Sequence, residues 1–539
     1  MKNLVRGTAT LASIAVIATA ALPAFASEAP TYVETVAPGV SLSVLATSGD
    51  IVDGYQIAGV PDGTGAFLAD GKVQVLNNHE LSYGTISKDL SRAGGDAFGS
   101  TVDNYSINPK TQKLTAAKEF LTSALFYNYE TKTWAKTGAA PVGALAADSY
   151  GTPQHTNFLN RFCSSSLSPA GRLFYKSGKT SFGIKDAVYL TGEEGGDESR
   201  GFAVNAKGQL VQIPAFGLAA WETFNVIPTK SKTTAVYGNE DGSATDSQLW
   251  LYQGTKATKG TWFEKAGLTN GSTYVMKIGE FAKESEFRAA VGKGKSTDVV
   301  FNKVIATDNG VNQNKTAANV GTALARVEDG AFDPKNPAVY YFVTTESNKD
   351  KAATALDPSN PLVTKRDGGA LWKLTLNNVK NPAAGGKITM LLDGTEAPFL
   401  NKPDNIEVDG FGNIIIQEDP GNNPQLTRMF AYRISDGKLV VLNKFKEALF
   451  SAAKADASFI TEDEETSGVL NVTSYFKKNA KDKNSYYVFV AQVHATGDAL
   501  LKARPDITDA AAKAELAKAI EAGQIYLMTI SNWDAIYGG

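Results

Sequence analysis

Short runs of apolar and β-branched residues, broken at close intervals by Gly, Pro, Asn or Asp, dominate the chain. That pattern predicts strands rather than helices. Six runs share one form. "KVQVLNNHE" closes at His79-Glu80, "AVYLTGEE" at Glu193-Glu194, "TTAVYGNED" at Glu240-Asp241, "PAVYYFVTTE" at Glu346, "GNIIIQED" at Glu418-Asp419 and "YYVFVAQVH" at His494. A continuous apolar run reads as a strand buried on both faces, and each of these delivers an acid or an imidazole at its C-terminal end. The spacings vary from about 45 to about 115 residues, so there is no strict sequence repeat. The expected fold is all-β: a β-propeller of about six blades with helical and loop insertions. Its inner strands would run towards one end of a central channel, where the six acidic ends converge on one ring.

Helical spacing is confined to a few stretches. These are Glu284 to Gly294, Asn443 to Asp456, and Ile507 to Gly523, the last with Thr508 or Asp509 as N-cap and Gly523 as C-cap. The strand "QIYLMTI" that follows could complete a blade.

The first 26 residues read as a secretory leader, with Lys2 and Arg6, an apolar run from Ala9 to Leu22, and an Ala24-Phe25-Ala26 cleavage signal. The expectation is therefore a secreted or periplasmic protein, with residues 27–539 as a single propeller domain. No later stretch approaches the twenty apolar residues of a membrane span. A net charge of −3 argues against nucleic acid and against a basic membrane-surface patch. The lone Cys163 excludes an internal disulfide, and three histidines make a His-rich zinc site improbable.

Any metal must therefore lean on oxygen ligands. Calcium takes six to eight of them in irregular geometry, whereas acids gathered without cations repel one another. Singly, each strand-end acid reads as a solvated loop residue; it is their recurrence as a set that brings a metal into question. Cys163, in "NRFCSSSLSPAG", is either a small buried hydrophobe or a thiolate ligand to a transition metal; no G-x-S-x-G elbow surrounds its serine neighbours. In "ARVEDGAFDP", Arg326 and Glu328 share one side of an extended segment. They form a local ion pair, or an arginine fork for phosphate beside a metal-holding acid. Asp404-Asn405 in "KPDNIEVDG" reads alone as a turn. "GKGKST" lacks the upstream glycine of a phosphate loop and reads as a helix end and turn.

Taken in order, these segments resemble the PhoX-type alkaline phosphatases, secreted metalloenzymes built on a β-propeller. "NNHELS", Cys163, "YLTGEE", "AAWETF", "VYGNEDG", "ARVEDGAFDP", "PDNIEVDGFGNIIIQED", "ETSGVLNV" and "VFVAQVHATGD" carry the resemblance, from about Asn77 to Trp533. It implies hydrolysis of phosphate monoesters with ferric iron and calcium. The implied metal ligands are Glu80, Cys163, Glu222 and Glu328, with one or more of Glu193, Glu194, Glu240 and Asp241. Arg326 would neutralise the phosphoryl oxygens and Asn405 would donate a further hydrogen bond. The resemblance further implies a small-molecule substrate, and a monomer is the expected state. About 30 residues separate Cys163 from Glu193, more than the family's short connection, so an inserted or rebuilt loop is expected there. Two other readings fit the residues alone: a calcium-dependent lactonase-type propeller hydrolase, and a calcium-stabilised propeller that binds without catalysing.

Overall fold

The computed structural model describes residues 29–144, 157–243, 247–305, 309–346, 367–421, 423–454 and 457–538. The leader read over residues 1–26 lies outside them.

An N-terminal strand, β1 (Val40–Thr47), is followed by a succession of four-stranded antiparallel units. The first holds β2 (Pro61–Ala69), β3 (Lys72–His79), β4 (Thr101–Asn108) and β5 (Lys113–Glu119), and the second β6 (Phe162–Ser168), β7 (Val188–Glu193), β8 (Gly201–Asn205) and β9 (Gln209–Gln212). The third runs through β10 (Trp221–Val226), β11 (Thr233–Glu240), β12 (Leu249–Thr255) and β13 (Ser272–Ile278). The fourth takes β14 (Val327–Phe332), β15 (Val339–Thr344), β16 (Ala370–Leu376) and β17 (Gly386–Leu392). In the fifth come β18 (Pro403–Val408), β19 (Asn413–Glu418), β20 (Arg428–Arg433) and β21 (Lys438–Phe445). The sixth has β22 (Glu464–Asn471), β23 (Ser485–Val493) and β24 (Ala522–Ile530), and β1 completes it by pairing with β24, Val40 opposite Ile530 through Thr47 opposite Gln524.

The first strands β2, β6, β10, β14, β18 and β22 each touch the next around a closed circle, β22 returning to β2. This is a six-bladed propeller, closed by strands from both ends of the chain. The strand Ser296–Val304 bridges the outer edges of blades three and four into one nine-stranded sheet.

The six apolar runs of the sequence are not the innermost strands. They are the second strands β3, β7, β11, β15, β19 and β23, almost wholly buried because each blade packs against neighbours on both faces. Being antiparallel to the innermost strands, they end where those strands begin. Both sets therefore meet at one mouth of the channel. The long connection after Cys163 proves to be a hairpin, Phe174–Ser177 with Thr180–Gly183, and the "SSSLS" expected in a loop lies within β6.

The helices are shorter than their spacing suggested. The first is α1 (Glu284–Ala290), and the segment from Asn443 gives the end of β21, α2 (Glu447–Phe450) and a single 3-10 turn, Ala452–Lys454. In α3 (Ala510–Leu516), Asp509 is the N-cap, accepting from the amides of Ala511 and Ala512, and Gly523 lies inside β24 rather than capping the helix. Strand pairing along β24 has overridden the apparent cap.

One buried cation has a measurable consequence for the fold. Lys256 is 3 % exposed and donates from Nζ to the Thr233 carbonyl oxygen at 2.5 Å. Burial pushes its ammonium down to about 8 from the ordinary 10.5. Between those values the native state binds fewer protons than the unfolded chain, so stability rises with pH from about 8 to about 10.5 and carries the full penalty below 8. Lys256→Met is expected to stabilise the fold by ~1–3 kcal/mol at pH 7. Urea unfolding at pH 7 and pH 10.5 checks this: the gain should shrink at the higher pH.

Candidate metal centre

At the channel mouth the second residue of every innermost strand is Asp62, Cys163, Glu222, Glu328, Asp404 or Glu465. In five of the six strands the ladder breaks just after the first residue. Pro61 pairs with His79, Phe162 with Glu193, Trp221 with Glu240, Val327 with Thr344 and Pro403 with Glu418, and then the register slips. A bulge re-aims the side chain beside it. The slip thus sets five of these side chains at equivalent irregularities around one axis. In β22 the shift comes later, between Ser467 and Leu470.

A second tier comes from the residues just past the second strands: Glu80, Glu194, Asp241, Asp419 and His494. Together the two tiers enclose a cavity of about 280 Å³ in which nine carboxylates meet two arginines, Arg161 and Arg326, and His494. Asp62 lies fully buried beside it. The donor atoms gather into overlapping triads, each within 4.8 Å: Asp62, Glu80 and Cys163; Cys163, Glu194 and Glu222; Glu222, Glu328 and Asp404; Asp404, Asp419 and Glu465.

The acidic pairs divide their labour by one residue. Glu193 is fully buried and binds Arg200 through two hydrogen bonds, Nε at 2.7 Å and Nη2 at 2.6 Å. Glu240 accepts from the Gln248 amide at 2.9 Å and from Trp250 Nε1 at 2.7 Å. Glu418 is paired with Arg428. These three are blade residues, while Glu194, Asp241 and Asp419 face the cavity. Of the metal ligands expected from sequence, the structure brings together Glu80, Cys163, Glu194, Glu222, Asp241 and Glu328, and turns Glu193 and Glu240 into the sheets. Asn405 does not line this cavity either. It sits beneath it, donating to Glu222 Oε1 at 3.5 Å and accepting from the Gly468 amide at 2.8 Å, and it borders a second cavity of about 400 Å³ towards the opposite mouth. Asn405, expected as a substrate contact, is thus placed beneath the cavity and not in its lining.

Asp62 and Glu465 are ring members that sequence reading missed, and Asp404 was read only as a turn. A lone acid at the start of a strand carries no pattern. The usable signal was a pairing: each ring residue lies one hairpin upstream of a strand-end acid or, for Glu465, of His494.

The electrostatics follow from burial and crowding. Burial, then Glu80, pushes Asp62 up to about 7. Burial and neighbouring acids hold Glu222, Glu328, Asp404 and Glu465 well above the usual carboxylate range. The Cys163 thiol is pushed up by burial and then by Asp62, to which Sγ donates at 3.3 Å. Asp241 is the exception. Burial would raise it, but Arg326 holds it below the usual range, with Nε on Oδ1 at 2.6 Å and Nη2 on Oδ2. Against the downward pull of burial, the hydrogen bond and charge of Glu521 raise His494 to about 9, with Nδ1 and Oε2 3.0 Å apart. So many buried acids beside so few cations describe a cavity that suits bound cations. Oxygen donors with a single thiol suit a hard cation together with a softer one.

Fold and site together describe a propeller whose channel mouth could hold metal ions, and comparison with known proteins gives the class. The family model "Alkaline phosphatase PhoX" matches residues 203–471. The chain belongs to this family of alkaline phosphatases. Among solved structures, Pseudomonas fluorescens PhoX in complex with vanadate, a transition-state analogue, shares the fold with a TM-score of 0.57 at 12 % identity, over 93 % of this chain and 97 % of that one. An α-L-arabinofuranosidase from Podospora anserina aligns over 73 % of this chain and 94 % of its own with a TM-score of 0.28 at 10 % identity, which carries no argument. Among curated proteins none matches.

Proposed function

We propose that this chain is an exported enzyme that hydrolyses phosphate monoesters at the channel mouth, using iron and calcium held by the two tiers of side chains. The observation that carries the reading is the run of four overlapping donor triads with Arg326 at their rim. The triads containing Cys163 would hold iron, because thiolate is the soft donor of the set. The all-carboxylate triads around Asp404 would hold calcium. Bound there, such ions supply Lewis-acid polarisation of the phosphoryl oxygens and a nucleophile at neutral pH.

The chain's own residues do the rest. Arg326 is fixed by the two-pronged grip of Asp241, so its guanidinium plane cannot swing away from the mouth. Its Nη1 lies 3.8 Å from Glu346. Charge building on a phosphoryl group would be met by a donor already in place, with no reorganisation to perform. Asn405 and Ser467 brace the inner ring from below, Ser467 Oγ bonding Asp62 Oδ1. A Pseudomonas protein of the same fold is known in complex with vanadate, a transition-state analogue, which supports phosphoryl chemistry as the reading for this chain.

Elemental analysis of the mature protein, purified without chelators, tests the reading alongside hydrolysis of a simple monoester such as p-nitrophenyl phosphate. Iron and calcium in stoichiometric amounts with activity above background are expected. Chelation should abolish the activity and re-addition restore it. Calcium without iron would overturn the proposed cofactor, and no hydrolysis by metal-loaded protein would overturn the function.

A further inference from the structure

We propose that Arg161 is a second guanidinium that binds the phosphoryl group hydrolysed at this site, facing it together with Arg326; the inference rests on the phosphatase reading above. The two arginines hold equivalent places in the propeller. Arg161 immediately precedes β6 and lies two residues before Cys163, and Arg326 immediately precedes β14 and lies two residues before Glu328. Both have positive φ, 46° and 62°, a backbone state uncommon outside glycine. Val60 and Lys402 share it at the same position in blades one and five, so the turn belongs to the architecture.

From equivalent turns the two side chains reach equivalent partners. Arg161 Nη2 meets Glu80 of the preceding blade at 2.5 Å and Glu194 of its own at 2.7 Å. Arg326 meets Asp241 of the preceding blade and Glu346 of its own. Glu194 and Asp241 lie beside each other in the cavity lining. Arg161, Glu194, Asp241 and Arg326 therefore form one continuous row at the cavity, with a cation at either end.

Exposure supplies the direction. The arginines are 36 % and 25 % exposed, whereas Glu80, Glu194, Asp241 and Glu328 beside them are 13 % or less. A phosphate dianion entering on this side of the cavity meets the two guanidiniums before these four carboxylates. Arg161 also has a free prong: Nε is spent on the Glu194 carbonyl oxygen and Nη2 on the carboxylates, while Nη1 donates no hydrogen bond among the described residues.

The test compares Arg161→Gln and Arg161→Lys with the metal-loaded parent. Metal content, inhibition by inorganic phosphate, and kcat/KM are measured for two monoesters, one with a neutral and one with an anionic leaving group. We expect Arg161→Gln to keep its metals, to weaken inhibition by inorganic phosphate ~10-fold or more, and to lower kcat/KM ~100-fold for both esters, with partial recovery in Arg161→Lys. Unchanged phosphate inhibition and kcat/KM would overturn the proposal. So would activity that falls only as metal is lost and returns at saturating metal, because Arg161 would then merely tether Glu80 and Glu194. An effect limited to the anionic leaving group would also overturn it, placing Arg161 on the wrong part of the substrate. Failure of the underlying reading looks different: the metal-loaded parent would neither hydrolyse the esters nor bind inorganic phosphate in calorimetry.

Discussion

Arg326→Gln is expected to lower kcat/KM for phosphate monoesters by ~10³-fold or more, the scale seen when an arginine that neutralises a phosphoryl transition state is removed. Most of the loss should fall on kcat, because the charge that this guanidinium meets grows as the ester breaks. Arg326→Lys keeps a charge but loses the planar fork that grips both oxygens of Asp241, and should recover only a small part. One competing explanation must be separated. Removing Arg326 leaves Asp241 buried beside Glu194 and Glu328 without its counter-charge, which alone could disturb metal binding. The double variant Arg326→Gln/Asp241→Asn removes that repulsion. If activity returned in the double variant at full metal occupancy, Arg326 would be a brace for Asp241 and not the phosphate clamp. We expect metal to return and activity to stay lost.

How much of this could be read along the chain depends on whether a feature is periodic. The six apolar runs announced themselves because a strand packed on both faces must be apolar throughout, as in Val188–Glu193 and Asn413–Glu418. Their acidic ends announced the mouth. The strands that line the channel did not, because an inner strand such as Pro61–Ala69 or Glu464–Asn471 mixes glycine, threonine and serine with few apolar residues. They were inferred as a geometry but assigned to the wrong runs. The resemblance carried Cys163, Glu222 and Glu328, whose inner strands had no pattern of their own to give them away. Asp62 had neither pattern nor quoted motif, and Glu465 opened the quoted "ETSGVLNV" without being given a role. A bulge that slips the register by a residue or two is a relation between two strands, and no single stretch of sequence records it.

That same slip underlies the second large prediction, on the adjacent pair Glu193 and Glu194. The two residues are indistinguishable in sequence, and the structure gives them opposite environments. Glu193 is fully buried, with Arg200 closed over it and the amides of Asn160 and Arg200 donating to its oxygens at 3.0 and 3.2 Å. Glu193→Gln strips the charge from one side of a buried pair and removes the carboxylate that grips Arg200. It should destabilise the protein by ~3–5 kcal/mol, with activity per folded molecule and metal content little changed. Glu194→Gln should do the reverse. Burial, moderated by Arg161, holds this carboxyl well above its ordinary range, and Asp241 and Glu80 add to the strain. Losing its charge relieves repulsion in the metal-free protein, so the apo form should unfold at the same temperature or slightly higher. Metal affinity and hydrolysis should both fall, because one donor of the Cys163, Glu194 and Glu222 triad is gone. Differential scanning calorimetry with and without metal, run beside elemental analysis, separates the outcomes. If Glu193→Gln lost metal at unchanged apo stability, the division between blade residue and cavity residue would be wrong. The same division would then fail for Glu240 beside Asp241 and for Glu418 beside Asp419, since all three pairs rest on one register.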